Sequence, residues 1–232
     1  MSLMALAALV VLVGSCNWKV EKHFKSSNGP KVTATLPNVQ PFERIRIDAP
    51  CNVYFTQGNT TKVKMVASDS EVMKKTKVMV GGGCLDIRMK GKGWSNWKKK
   101  RSVSIYVTSP DLIEVNMHGA GNFEVEGQLD TDTLRLRLKG AGNMDFPNII
   151  CDRIETHLQG VGNMDFHQLQ TQQAEISLRG VGNIDAHFVK SGSVRCTLQG
   201  VGDIDLSGEV KSLVKKVQGT GKIDVSDLKI NN

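Results

Sequence analysis

Six acidic residues recur at nearly constant intervals in this 232-residue chain: Glu124, Asp145, Asp165, Asp185, Asp205 and Asp224. Carboxylates can ligate cations, move protons or cap backbone amides, so such a line is the first place to look for chemistry. Calcium takes oxygen ligands in number, which makes Asp145, Asp165, Asp185 and Asp205 a candidate calcium column. The G-x-G-x-x-D spacing is that of the calcium-binding nonapeptide, but here the motif returns every 20 residues rather than every nine or so. The plainer reading, Asp as a turn residue bonding its own backbone, is favoured. Two positions before each acid stand Asn122, Asn143, Asn163 and Asn183, then Asp203 and Lys222. Stacked amides can hydrogen-bond along a ladder and hold register. His167 and His187 share one offset from their motifs, but two imidazoles do not make a metal site, and neighbouring repeats carry Pro147 and Ser207 there.

Off this pattern, the segment from Lys90 to Arg101 combines Trp94 and Trp97 with Lys98, Lys99, Lys100 and Arg101. Aromatic faces amid positive charge suit an anionic glycan, lipid headgroups or a protein partner. The alternative is a solvated hairpin tip whose indoles cover the end of a core. The serines lie in no nucleophile motif and have no His beside them in sequence. A polysaccharide-cleaving enzyme would need clustered carboxylates off the repeat, whereas these acids lie on it. The expectation is a protein that is not an enzyme and needs no cofactor.

The elements that must position these residues follow from the repeat. Gly-x-Gly-x-apolar-acid begins at Gly119, Gly140, Gly160, Gly180, Gly200 and Gly219 and accounts for 12 of the 23 glycines. A period of 20 residues, with alternation such as Leu134-Arg-Leu-Arg-Leu-Lys139 before the motif, fits one coil of a β-solenoid better than helical repeats of about 33 residues or more. Arg135, Arg137, Arg179 and Arg195 are expected to face water. Two glycines per coil suit positive φ or a close approach of neighbouring coils. If the strand runs straight through the motif, Met144, Met164, Ile184, Ile204 and Ile223 point inward and the acids outward.

Before the repeats, short alternating runs at Arg44–Ile47, Asn52–Phe55, Lys62–Val66, Leu85–Met89 and Ser102–Val107 read as strands, and Ser70–Lys77 has room for one or two helical turns. The fold class is therefore all-β, a single-stranded β-helix-like solenoid with coils of about 20 residues preceded by an irregular β module. The boundaries are a signal segment over 1–15, a tether over 16–40, a β module over 41–108 and the solenoid over 109–232, which the module could continue as irregular first coils.

Charge and export narrow the partners. Residues 1–108 hold 18 Lys and Arg against 6 Asp and Glu, while residues 109–232 hold 12 against 17. A basic half can serve nucleic acid, anionic membrane or acidic glycan. The apolar run Met1–Ser15 has the length of a secretory signal, and Val13-Gly14-Ser15-Cys16 resembles a bacterial lipobox with Cys16 as the lipidated residue. No Lys or Arg precedes the run, and an ordinary secretory signal or a buried apolar segment are the alternatives. Export argues against nucleic acid as a partner and leaves a membrane reached through Cys16 and a glycan or protein surface. Asn17 after the Cys points to the outer membrane. Cys51, Cys84, Cys151 and Cys196 are dispersed; Cys51 with Cys84 is a possible bridge, and buried thiols are the equal alternative.

The repeats, together with Phe42–Gly58 and Gly83-Cys-Leu-Asp-Ile-Arg88, resemble the head GIN domain family of putative autotransporter adhesins, a domain of unknown function common in Bacteroidetes lipoproteins. The resemblance covers roughly residues 40–228. It implies a β-solenoid fold and an envelope location in a Gram-negative bacterium more firmly than it implies adhesion.

Overall fold

The computed structural model describes residues 19–23, 31–90 and 102–231. Cys16, Trp94, Trp97, Lys98, Lys99, Lys100 and Arg101 lie outside the described residues. The front of the chain forms β1 (Lys19–His23), β2 (Lys31–Thr35), β3 (Arg44–Asp48), β4 (Asn52–Gln57) and β5 (Lys62–Ala67), then α1 (Ser70–Lys75), β6 (Thr76–Gly81), β7 (Cys84–Met89) and β8 (Val103–Ser109). Asp69 caps α1 by accepting from the Val72 N–H at 2.8 Å.

The repeats follow as β9 (Glu114–Met117), β10 (Ala120–Val125), β11 (Gln128–Leu138), β12 (Ala141–Phe146) and β13 (Asn148–Leu158). Beyond them lie β14 (Val161–Leu178), β15 (Val181–Leu198), β16 (Ile204–Val217), β17 (Ile223–Asp224) and β18 (Leu228–Ile230). The expected β-solenoid is what forms. Each coil pairs in parallel with the next so that motif lies on motif: Gly142 pairs with Gly162 and Gly182 follows, while Met144, Met164, Ile184 and Ile204 share one column.

Burial shows how a coil closes. In the coil that begins at Gly140, Met144 and Phe146, then Ile149 and Cys151, then Ile154, Thr156 and Leu158 are buried. The inward phase therefore slips by one residue at 147–148 and again at 152–153, whereas from Leu158 to Met164 it is unchanged across Gly-x-Gly; these three corners divide each coil into three straight runs. Their interiors stack as columns, such as Leu138, Leu158, Leu178 and Leu198, all fully buried. Phe123, Phe146 and Phe166 lie ring to ring at 5.9 and 5.5 Å. The arginines expected in water are on the outer face: Arg179 and Arg195 are exposed, Arg135 and Arg137 partly so.

The glycines are required by contact between coils. A Cβ on Gly162 would lie 1.6 Å from the Gly142 carbonyl oxygen, and one on Gly142 would lie 1.7 Å from that of Gly121. The first glycine of each motif makes the same approach, with Gly160 and Gly180 both 2.0 Å from the preceding carbonyl by this measure. Gly162 also has φ +145. Both reasons weighed from the sequence, positive φ and close approach, thus apply together.

The front strands share these ladders. β3 pairs in parallel with β9, and β4 with β10, so the repeat's ladders run on into residues 44–57. The far side of this first coil is covered by β7 and β8, also parallel to it, and then by antiparallel β6, β5, β2 and β1.

One expectation needs correction, and one open alternative is resolved. The segment read as a tether over 16–40 contains β1 and β2, and β2 buries Val32 and Ala34 against the sheet while pairing with β5. Its alternation is only five residues long, and its partner lies some 30 positions away, so it carried little signal. The second concerns Cys51 and Cys84, which are free thiols. Cys84 pairs opposite Arg44 at the start of β3, whereas Cys51 lies beyond the end of that strand, so the two sit at opposite ends of the run. Burial pushes the thiols of Cys51 and Cys196 up to about 12 and that of Cys151 to about 11, which keeps them protonated and unreactive.

Replacing Gly162 by Ala is expected to cost more than about 3 kcal/mol in urea unfolding, since backbone must move against backbone. Gly127 has φ +87 but open space around its Cα, so Gly127→Ala should cost only about 1–2 kcal/mol. Equal losses would show that coil contact is not what selects glycine.

Candidate functional site

The Asn column forms a continuous chain of hydrogen bonds along the axis. The side-chain oxygen of Asn143 accepts from the Asn163 backbone N–H at 3.1 Å, that of Asn163 from Asn183, and that of Asn183 from Asp203, each at 3.1 Å. Asp203 Oδ1 then accepts from the Lys222 N–H at 2.9 Å. Asn143 Nδ2 donates to Asn122 Oδ1 at 3.1 Å, but at Asp203 only an acceptor oxygen is needed, so Asp serves there as well as Asn. The last rung needs none, which is why Lys222 is tolerated. The chain starts earlier than the repeats, because Asn52 Oδ1 accepts from the Asn122 N–H at 3.0 Å. Ala49, Pro50 and Cys51 lie against Gly119, Ala120 and Gly121, so Asn52 belongs to an extra coil whose motif lacks glycine.

The acids form the adjacent outward column, as the straight-strand expectation has it. Glu124, Asp145, Asp165, Asp185, Asp205 and Asp224 follow one another in register. What the sequence did not reveal is how this column continues toward the front. Glu124 pairs opposite Tyr54, Tyr54 opposite Tyr106, and Tyr106 opposite Lys64. The two tyrosine rings stack at 5.0 Å with an interplanar angle of 17°, and Lys64 Nζ stands 6.0 Å from the Tyr106 ring. One outer stripe thus runs from a cation through two aromatics to six carboxylates. The signal that could have found it is the alternation of β4 and β8, once their register with the repeats is known.

Burial pushes Asp165, Asp185 and Asp205 upward, and neighbouring carboxylates add to it for each. The acids that flank these three, Asp145 and Asp224, have side-chain partners outside the column. His167 Nε2 lies 2.9 Å from Asp145 Oδ1, and Lys222 Nζ donates to Asp224 at 2.7 Å, holding that carboxyl well below the usual range.

His187 Nδ1 instead meets Ser207 Oγ at 2.9 Å, so the two histidines do not share a ligand position. For the calcium column, Asp145, Asp165, Asp185 and Asp205 are in line, one per coil. Among the described residues, no three His, Cys, Asp or Glu side chains gather into a group that could hold a metal.

A second outer face carries paired charges. Arg135 and Arg153 reach Glu155 at 3.4 and 2.9 Å, Arg153 also reaches Glu175 at 3.7 Å, and Arg137 reaches Glu114 at 3.4 Å. Partial burial works to raise the Glu155 pKa, but Arg153 and Arg135 outweigh it and the net shift is downward. Toward the front this face ends in a groove of about 500 Å³ bordered by Arg44, Arg46, Cys84, Asp86 and Glu114. Arg88 bonds Asp86 there, Arg46 lies 4.0 Å from Asp86, Asn116 bonds Glu114 and Arg44 donates to the Gly82 carbonyl, so the polar groups around the groove already have partners within the chain.

Removing the acceptor in Asn163→Ala should cost about 1–2 kcal/mol, with Asn163→Asp costing less because the oxygen is kept; chemical denaturation of the two variants reads the difference. The acid stripe sets a pH dependence of defined sign. A carboxyl whose folded pKa lies above its unfolded value destabilises the fold at neutral pH, and this penalty fades as pH falls through the folded pKa. Asp185→Asn should therefore raise the melting temperature at pH 7 and lose that advantage toward pH 4 and below. An advantage that persists at low pH would assign the effect to something other than charge.

The fold and its outer columns can be set beside known proteins. A family model described as putative auto-transporter adhesin, head GIN domain, matches residues 41–167 and 158–232. Among solved structures, a putative adhesin from Bacteroides fragilis NCTC 9343 is 24% identical, covering 83% of this chain and 95% of that one with a TM-score of 0.68. A putative adhesin from Parabacteroides distasonis ATCC 8503 is 13% identical over 84% and 96%, with a TM-score of 0.63. A putative lipid binding protein from the same organism is 15% identical over 84% and 97%, at 0.54. At these identities the likeness is one of fold. No curated protein matches the chain. The matched residues take in the first coil, every Gly-x-Gly motif and both outer columns, and the chain belongs to the putative auto-transporter adhesin, head GIN domain, family.

Proposed function

We propose that the protein is a non-enzymatic binding protein of adhesin type that holds a repetitive β surface at the bacterial envelope and engages an extended, hydroxyl-rich glycan. Cys16 is the lipid attachment point in this reading, and the outer membrane or cell surface is the location. The family supports the adhesin-like part. The observation that carries the glycan part is the outer stripe, in which Tyr106, Tyr54 and the acids from Glu124 to Asp224 stand one coil apart along the axis.

Strands in such a ladder lie about 4.8 Å apart, close to the reach of successive hydroxyl groups on a sugar chain. Carboxylates accept from hydroxyls, and aromatic rings offer apolar faces to sugar C–H groups. A long ligand would gain many weak contacts in line, and contacts linked in one molecule raise its effective concentration at each next site. Trp94 and Trp97 belong to the segment that leads into β8, the strand of Tyr106, and with Lys98, Lys99, Lys100 and Arg101 they add a contact element for anionic groups on the same envelope polymers.

The test is retention of the unlipidated chain on immobilised polysaccharides and lipopolysaccharide. Tyr54→Ala with Tyr106→Ala, and separately Trp94→Ala with Trp97→Ala, should each weaken retention by about tenfold while far-UV circular dichroism stays that of the parent. Retention unchanged in both double variants would sink the reading.

A further inference from the structure

The solenoid is covered unequally at its last coil. β17 pairs with β16 at Ile204 and Asp205, and β18 pairs with it at Gly208, Glu209 and Val210. Among the described residues, the rest of β16, from Lys211 to Val217, pairs only with β15. The repeat tells which backbone groups this leaves open. The carbonyls of Leu138, Leu158, Leu178 and Leu198 each accept from the coil that follows, through Gln159, Arg179, Gln199 and Gln218. Val217 stands next in that column after Leu198. In a parallel strand the N–H and C=O of one residue point to the same side, and alternate residues share that side. Leu213, Lys215 and Val217 therefore direct their backbone groups away from β15, toward the open end.

The side chains of these residues are the ends of core columns. Leu213 follows Val194, and Val217 follows Leu198, which is fully buried; Val217 itself is 47% exposed. Lys215 follows Leu136, Thr156, Ile176 and Cys196, so a cation sits where the interior would otherwise continue. With Lys211 and Lys216 it makes this edge strongly basic.

We propose that the Lys211–Val217 edge is a docking site for an extended polypeptide segment of a partner protein, which adds as one more parallel strand and brings an acidic residue over Lys215. The geometry specifies the segment: apolar, any, acid, any, apolar, with the apolar residues over Leu213 and Val217. Backbone bonds supply affinity in such strand addition, and the alternate side chains supply selectivity. An ammonium covered by another coil without a counter-charge would be costly, so an apolar strand is refused. A second copy of the same edge would set lysines against lysines. The segments of this chain outside the described residues, 1–18, 24–30 and 91–101, contain no Asp or Glu, so none of them fits the pattern. This surface is separate from the glycan-facing stripe, and either reading can fail without the other.

The experiment uses the full chain in detergent and immobilised peptides of the form Thr-Val-Thr-Glu-Thr-Val-Thr, the same peptide with Lys for Glu, and a version N-methylated on alternate residues along its pairing edge. The Glu peptide should bind, and the other two at least about tenfold more weakly. Lys215→Glu, at an exposed position that leaves the fold intact, should invert the preference between Glu and Lys peptides. Equal binding of all three peptides, or no inversion in the variant, overturns the proposal. Sedimentation showing that the chain alone self-associates through this edge, and that Lys215→Glu abolishes the association, would also overturn it by making a second copy the occupant.

Discussion

The structure depends on one close approach, in which the carbonyl oxygen of a motif glycine occupies the space that a Cβ would take in the coil stacked on it. Backbone cannot be displaced there without shifting a whole coil, so the contact is possible only when the approaching residue is glycine. A slip of one residue would bring a side chain against a carbonyl and would also turn the inward face of the coil outward. The glycines thus set register at one corner, and the remaining residues of each coil inherit it. The buried leucine column and the outward acid column are both consequences of that alignment. The approach also explains the first coil. Ala49 and Cys51 stand where later motifs have glycine, and it is their carbonyls that are approached, by Gly119 and Gly121.

The Asn chain adds direction to this alignment. The side-chain oxygens of Asn52, Asn143, Asn163, Asn183 and Asp203 accept from the next coil's backbone N–H, and that of Asn122 from the Asn143 side-chain amide, so the series needs an acceptor at its start and none at its end. Asn52 begins it, and Lys222 closes it. A buried amide ladder would have demanded donors as well, and Asp203 would have broken it. Side-chain amides donate only at Asn143 and Asn163, so the later rung at Asp203 loses no bond by having a carboxylate.

The repeat was legible in the sequence because its determinants are local: two glycines, an amide and an acid within six residues. The coil's straight runs were legible where alternation is long, as at Leu134–Leu138. Three features were hidden because they depend on pairing between distant strands. The first coil lacks the glycine pair, and Asn52 alone does not identify it. β2 shows its role only beside β5. The tyrosine end of the stripe exists because β8 and β4 lie in parallel register with β10, a relation that no local pattern encodes. The acids were therefore visible as a column, while the aromatic groups that extend it were not. The inward hydroxyls at the second corner were hidden for a related reason. Ser191 Oγ donates to the Leu169 carbonyl and accepts from the Thr171 N–H, which ties a bend that hydrophobic alternation cannot describe.

The two ends of the solenoid are stopped by different means. At the front, β8 lies parallel to β4 but is followed outward by antiparallel β5, and β7 by antiparallel β6. Reversing the chain ends the parallel ladder without exposing the core, since Val63, Met65 and Val78 cover it. At the far end the pattern itself decays. Coils shorten to the two-residue β17 and three-residue β18, and the core column passes from Ile176 through Cys196 to Lys215. A lysine in that column terminates growth because a further coil of the same sequence type would bury its charge against apolar neighbours. The same substitution keeps the open edge from accepting hydrophobic strands at random. A basic residue placed in a core column is therefore the economical way for a repeat protein to stop at a defined length while keeping its last strand soluble.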